Sequence, residues 1–243
     1  MEALVVGAGE MGRWFAETLD SDVAFADADP ETAERAADAL GPRGRTVALS
    51  TDESFGLVCV AVPMTAAVET VEEHAQKAQQ AVVDVTGSMR DPLSAMARVA
   101  PARERVSFHP LFAAEHAPGT VAVAEGAPGP ATDRIRRELA DAGNDLVDVE
   151  PDEHDEAMET IQGRTHAAIL AFALAADDVP AELATPVYDH LSDLADRVTG
   201  GTPRVYADIQ ETFGGADEVA EAARRIADAD HDEFADLYDD ASR

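Results

Sequence analysis

Short, nearly continuous apolar runs recur through the first 150 residues, beginning with Ala3-Leu4-Val5-Val6. They predict strands over residues 3–6, 23–26, 57–62, 81–85, 105–108, 121–124 and 146–149. Between most of them the apolar spacing becomes helical, as over 11–19, 31–40 and 65–78. Strands that are apolar on both sides of the pleat are buried on both faces, and helical crossovers between parallel strands supply the cover. The Pro/Gly-rich stretch 127–130 reads as a loop before one more helix and strand.

Beyond Pro151 no run reads as a strand. Residues 152–178 predict one long helix, with Met158, Ile161, Thr165, Ile169 and Phe172 on an apolar stripe. Pro180, Pro186 and Pro203 punctuate further helices, and the acidic tail after Asp228 reads as a solvated helix or a frayed end. There is no internal repeat. The expected class is α/β: a Rossmann-type, doubly wound, mostly parallel sheet over 1–150, then an all-helical domain over 151–243.

Charge changes this picture more than length does. The chain has 243 residues with 49 Asp and Glu against 18 Lys and Arg, a net charge of −31, and Lys77 is the only lysine. Such self-repulsion opposes a compact state in dilute salt. At about 1 M salt the Debye length falls to roughly 3 Å and the repulsion is screened. The acidic, lysine-poor composition therefore reads as adaptation to a molar-salt cytosol, and it argues against nucleic acid or an anionic membrane as partner. Cys59 is alone, so no disulfide forms within the chain. Met1-Glu2-Ala3-Leu4 lacks the basic start of a signal peptide, and no apolar stretch approaches the ~20 residues that span a bilayer. The expectation is a soluble cytoplasmic protein.

The first strand runs into Gly7-Ala8-Gly9-Glu10-Met11-Gly12 and then a helix. Gly7 permits the tight turn, Gly9 lets the backbone approach a pyrophosphate, and Gly12 lets helix pack on strand. The helix start, through Glu10 and Met11, offers unpaired N–H groups and a positive dipole end to phosphates. Asp27 ends the second strand 20 residues after Gly7, where a carboxylate takes ribose hydroxyls and repels a 2′-phosphate, so NAD is favoured over NADP. Asp29 competes for that role, and Arg13 reads as a surface arginine. Three more segments stand at the carboxyl ends of strands, where open α/β sheets bind ligands. They are Val62-Pro63-Met64, Thr86-Gly87-Ser88-Met89-Arg90 and His109-Pro110-Leu111-Phe112. His109 falls where a nicotinamide ring reaches across the sheet, which points to catalysis. Gln162 and His166, four apart on the long helix, share a face with Met158 and suggest a polar pocket.

With these segments in view, the chain resembles the prephenate dehydrogenase family over almost its whole length. The resemblance rests on the glycine loop, Pro63-Met64, Gly87-Ser88-Met89-Arg90, His109-Pro110-Leu111-Phe112, and His154-Asp155 followed by Met158, Ile161-Gln162 and His166. It continues through Thr185-Pro186-Val187-Tyr188, Arg197 and Tyr206-Ala207-Asp208-Ile209. It implies an oxidative decarboxylation in which prephenate gives up its C4 hydride to NAD and loses carbon dioxide as the ring becomes aromatic. It also implies that His109 takes the ring hydroxyl's proton, Ser88 orients that hydroxyl and the histidine, and Arg197 holds a substrate carboxylate. Substrate contacts are further implied at His166, Gln162 and Tyr206, cofactor contact at Pro63, and a homodimer joined through the helical domain. Three positions depart from the family pattern: Arg90 replaces a lysine, Ala113 a glycine, and Asp189 an arginine. The last leaves arogenate open as the substrate. Another Rossmann-plus-helical oxidoreductase and a non-catalytic NAD sensor are the other readings, the former disfavoured where it needs a catalytic lysine.

Overall fold

The computed structural model describes residues 2–242, which fall into two compact units dividing after Asp155. The first unit holds one eight-stranded sheet. Its strands are β1 (Ala3–Val6), β2 (Val23–Ala26), β3 (Gly44–Thr46), β4 (Phe55–Val60), β5 (Ala78–Asp84), β6 (Glu104–Pro110), β7 (Thr120–Ala127) and β8 (Asp145–Asp148). They lie in the order β3-β2-β1-β4-β5-β6-β7-β8. The first six are parallel, β7 runs antiparallel to β6, and β8 is parallel to β7. This is the doubly wound, mostly parallel sheet that the apolar runs predict.

Alternation along the strands divides the core in two, as the period-2 pleat requires. On one face Val5, Phe25 and Phe108 pack with Phe15 of α1 (Glu10–Thr18), Ala33 of α2 (Pro30–Leu40) and Ile135 of α5 (Pro130–Asp141). On the other, Leu4, Val58 and Val82 pack with Val71 of α3 (Met64–His74) and Met96 of α4 (Arg90–Val99). Capping fixes where the helices start. Asp29 caps α2, with Pro30 in its first turn, and the Glu104 carboxylate of β6 accepts from Ala131 N (2.8 Å) and Thr132 N (2.9 Å) at the start of α5.

Two expectations change at the sheet. A short third strand, Gly44–Thr46, pairs with β2; its Gly-Arg-Thr sequence carries no apolar run and gave no signal. Residue 127, expected in a loop, ends β7, because that strand is held by long antiparallel pairing to β6 rather than by its own composition.

The long helix also differs. Helical backbone runs from Pro151 to Ala175, but as α6 (Pro151–Met158), a wider π turn over Glu159–Arg164, and α7 (Thr165–Ala175). The π turn inserts one residue, so the buried positions step from Met158 to Gly163 to Ala167. Ile161 and Thr165 of the expected stripe are consequently exposed, while Ile169 stays buried and Phe172 packs at the edge of that small core. Gly163 sits where the turn needs it: a Cβ there would lie 2.5 Å from Gly214 O.

The second unit is entirely helical after the π turn. α7 and α8 (Pro186–Thr199) pack through Ile169, Ala195 and Val198, with Tyr206 of α9 (Pro203–Phe213) against them. Two further helices follow, α10 (Ala216–Asp228) and α11 (His231–Ala241), so the acidic tail is a helix with a largely exposed surface. Among the described residues no helix is long and apolar enough to cross a membrane.

Candidate active site

Strand order reverses at β1 and β4, so the loops after them flank the crevice where doubly wound sheets take ligands. Gly7 leaves β1 with φ +96°, and a Cβ on it would lie 2.3 Å from Ala61 O, just beyond β4. A Cβ on Gly12 would lie 2.0 Å from Gly7 O. Both glycines are therefore demanded by packing. Gly9 is different. It is exposed, and a Cβ there would meet nothing within 4 Å. No side chain caps the start of α1. Its first N–H groups thus open onto space in front of an exposed glycine. Glu10 is exposed at that helix start, Met11 packs against the core, and Arg13 is exposed.

The two aspartates after β2 divide their work. Asp29 accepts from Glu31 N (3.1 Å) and Thr32 Oγ1 (2.6 Å), bonds that hold its carboxyl below the usual range and commit it to capping. Asp27 instead accepts from Ala8 N of the glycine loop (2.7 Å) and from Asp29 N (2.9 Å). It borders a cleft of about 290 Å³ that Ala33, Glu34, Thr46 and Leu49 also line. That is close to the lower end of ligand-pocket sizes, roughly 300–1,000 Å³. Thr46 and Leu49 were invisible in the sequence because β3 was. Lys77 braces this wall: its ammonium donates to Leu49 O (3.0 Å) and lies 2.8 Å from Nδ1 of the buried His74.

Farther along the same edge, His109 is buried near the end of β6. Its Nδ1 lies 2.9 Å from His154 Nε2, with the two rings nearly perpendicular at 80°. His154 Nδ1 in turn lies 2.8 Å from Asp155 Oδ1. Asp155 also accepts from Met89 N (3.0 Å) and Arg90 N (3.1 Å), capping α4 from 65 residues away in sequence. Arg90 pairs with Asp152 at 2.8 Å. Burial, reinforced by His154, pulls the His109 pKa down to about 3, against the opposing pull of Asp155. Burial alone would raise Asp155, but its bonds from His154 and the two amides outweigh that and hold its carboxyl below the usual range. His109 is accordingly a neutral imidazole, and Asp155 a carboxylate, at neutral pH.

Ser88 is buried in the turn between β5 and α4. Thr86 Oγ1 ties that turn down, 3.0 Å from Ser88 O and 2.6 Å from Asp84 Oδ1. Burial pushes the Asp84 carboxyl up to about 7 despite the Thr86 bonds. Met64 closes over Gly87, where a Cβ would lie 2.5 Å from its sulfur, so the Pro63-Met64 and Gly87-Ser88 segments meet. Pro63 itself stands at the start of α3. Trp14 of α1 meets Phe112 edge-on at 5.4 Å, linking the helix after the glycine loop to the segment after His109.

The structure thus brings Ser88 and His109 into the first unit with the glycine loop, Asp27 and Pro63. Sequence reading gave no role to His154 or Asp155, although Glu-His-Asp at a helix start was a visible signal. The remaining candidates lie in the second unit. His166 packs edge-on against Tyr206 at 5.1 Å; its Nδ1 is buried without a hydrogen-bond partner among the described residues, and burial lowers its pKa. Gln162 is half-buried within the π turn, and the freed Gly163 O accepts from Gln210 Nε2 at 2.8 Å. Arg197 is exposed on α8, with no ion-pair partner among the described residues.

The contrast between the glycines is testable. Gly9→Ala is expected to leave the melting temperature within a few degrees of the parent, because the added methyl meets nothing, and to weaken dinucleotide binding measured by calorimetry. Gly12→Ala is expected to lower the melting temperature sharply, because its methyl meets backbone.

No family model matches the chain. Among curated proteins it is 29% identical over 266 residues to the 4-amino-4-deoxyprephenate dehydrogenase of Streptomyces pristinaespiralis, covering 97% of this chain and 88% of that one. It is 22% identical to a probable arogenate/prephenate dehydrogenase of Methanocaldococcus jannaschii, covering 99% of this chain but 60% of that one's length. Its fold matches the Aquifex aeolicus prephenate dehydrogenase solved with hydroxyphenyl propionate and NAD+ (TM-score 0.67, 18% identity, 92% of this chain and 87% of that one). The curated matches are thus to prephenate- and arogenate-type dehydrogenases, and the structural match shows a shared fold.

Proposed function

We propose that the chain is an NAD-dependent prephenate dehydrogenase, converting prephenate to 4-hydroxyphenylpyruvate with loss of carbon dioxide. The observation that carries the reading is His109: a buried, neutral imidazole on the same sheet edge as an uncapped helix start behind an exposed glycine. The first feature keeps the ring in the form that can accept a hydroxyl's proton, and the second suits a pyrophosphate. The residues present fit the cofactor. Gly7, Gly9, Glu10, Met11 and Gly12 would hold the pyrophosphate, Asp27 and its cleft the adenosine ribose, and Pro63 the nicotinamide side. When bound, NAD supplies the two-electron acceptor that the chain's own side chains lack.

The chain then has to bind, orient and move one proton. His109 accepts the proton of the C4 hydroxyl, and Ser88 orients hydroxyl and imidazole. Arg197, unpaired among many carboxylates, takes a substrate carboxylate in the planar geometry a guanidinium favours. His166, Gln162 and Tyr206 are the other proposed substrate contacts. Aromatisation makes carbon dioxide loss favourable, so alignment is the main demand on the protein. Lys77, the only lysine, is committed to Leu49 O and His74, which disfavours a lysine-dependent oxidoreductase. Asp189, in place of the family's arginine, favours arogenate as the second reading, because a carboxylate suits the amino group that arogenate carries.

We place the enzyme in a molar-salt cytoplasm, where its −31 charge is screened. We also propose a homodimer through the second unit. α7 is apolar around its whole circumference, and Leu174, Leu183 and Val187 are exposed. Sedimentation equilibrium in molar KCl is expected to give twice the chain mass; a monomer would contradict this.

The deciding experiment is an initial-rate assay in molar KCl with prephenate, arogenate and 4-amino-4-deoxyprephenate, each with NAD and NADP. NADH formation is expected, fastest with prephenate. No turnover of any of the three overturns the reading, and preference for another substrate corrects the specificity. His109→Asn is expected to lower kcat by roughly 10²–10⁴-fold, the usual worth of general-base catalysis. Arg197→Ala is expected chiefly to raise KM.

A further inference from the structure

The His109–His154–Asp155 chain has a proton logic that a lone base lacks. The Asp155 carboxylate has no hydrogen to give, so the 2.8 Å contact is a donation from His154 Nδ1–H. A neutral His154 then has a bare Nε2. With His154 in that neutral form, the 2.9 Å contact to His109 is a donation from His109 Nδ1–H. In that state the basic nitrogen of His109 is Nε2. The carboxylate at the end of this chain, Asp155, is held in turn by the Met89 and Arg90 amides at the start of α4.

The same geometry bears on where a proton comes to rest. Both rings are buried, but only His154 has a carboxylate in direct contact to offset the cost of carrying a cation. A base that stops at His109 would be a weak one. We propose that His109 and His154 form a two-step relay in which the proton taken from the substrate at His109 Nε2 is matched by transfer of the His109 Nδ1 proton to His154 Nε2. His154 becomes an imidazolium paired with Asp155, and His109 stays neutral. Asp155 is never protonated; it holds His154 and stabilises the cation.

The relay rests on the proposed oxidation, and it balances there. As the C4 hydride departs to the nicotinamide cofactor, the hydroxyl becomes a carbonyl and its proton enters the relay. When the bond to the leaving carboxylate breaks, its electron pair passes through the ring to that oxygen. The oxygen recovers a proton from His109 Nε2 while His154 Nε2 returns one to His109 Nδ1. The relay ends as it began, with no net proton released. Within it His154 is a positioning residue that acts through His109.

The test separates holding from relaying. His154→Gln keeps an acceptor for His109 Nδ1–H and a donor for Asp155, but takes up no proton. In the parent, kcat measured across H₂O/D₂O mixtures is expected to curve downward as two protons in flight require. In His154→Gln the plot is expected to be linear and kcat to fall at least about 100-fold, at the lower end of general-base effects. KM and the calorimetric Kd for NAD are expected to stay within about twofold. A linear plot for the parent, or full kcat in His154→Gln, overturns the relay while leaving the dehydrogenase reading intact. Absence of turnover in the parent with every substrate overturns both. If His154→Gln fails to fold, the parent's plot alone decides.

Discussion

The carboxylate of Asp155 is the constraint on which the candidate site depends. It ends three interactions at once: the ring of His154 and the Met89 and Arg90 amides at the start of α4. Through His154 it reaches His109, and through α4 it reaches the turn that carries Ser88. Each hydrogen bond to a charged group is worth about 1.5–3 kcal/mol, and its loss in a buried setting leaves other groups unsatisfied. Two segments far apart in sequence are locked in register by one side chain. The cofactor loop depends on an analogous lock made of backbone, Gly7 against Ala61 and Gly12 against Gly7. These two locks stand on one sheet, so the glycine loop and the base proposed at His109 share its carboxyl end.

Much of this was legible in the chain. The strands that are buried on both faces announced themselves as apolar runs, and the Gly7–Gly12 loop, between strand and helix, announced its geometry. The parts that were not legible share a cause: they are fixed by partners, not by local sequence. β3 is a polar three-residue strand that exists because β2 offers a free edge. The π turn at Glu159–Arg164 follows from the close approach of Gly163 to Gly214, 51 positions apart. Asp27 and Asp29 look alike in the sequence, and only the folded chain shows Asp29 as a helix cap. His154 and Asp155 stood in plain view as part of a resemblance, but their purpose depends on His109, 45 residues earlier.

The surface answers to a different demand. Of the arginines, several are tied into pairs with carboxylates, such as Arg45 with Glu2 and Glu53 and Arg136 with Glu125 and Asp148. Exposed pairs of this kind contribute little individually, and the excess acid remains for the solvent to screen. His109, His154 and Asp155 sit beneath that field, hydrogen-bonded to one another, so their chemistry is set locally.

The central claim is that His109 rests as a neutral imidazole with its proton on Nδ1, directed there by His154 and Asp155. Ring ¹⁵N chemical shifts of His109 in the ligand-free protein at neutral pH measure this directly, with His109→Asn giving the assignment. The account predicts a protonated Nδ1 and a bare Nε2. A proton on Nε2, or an imidazolium, would contradict it.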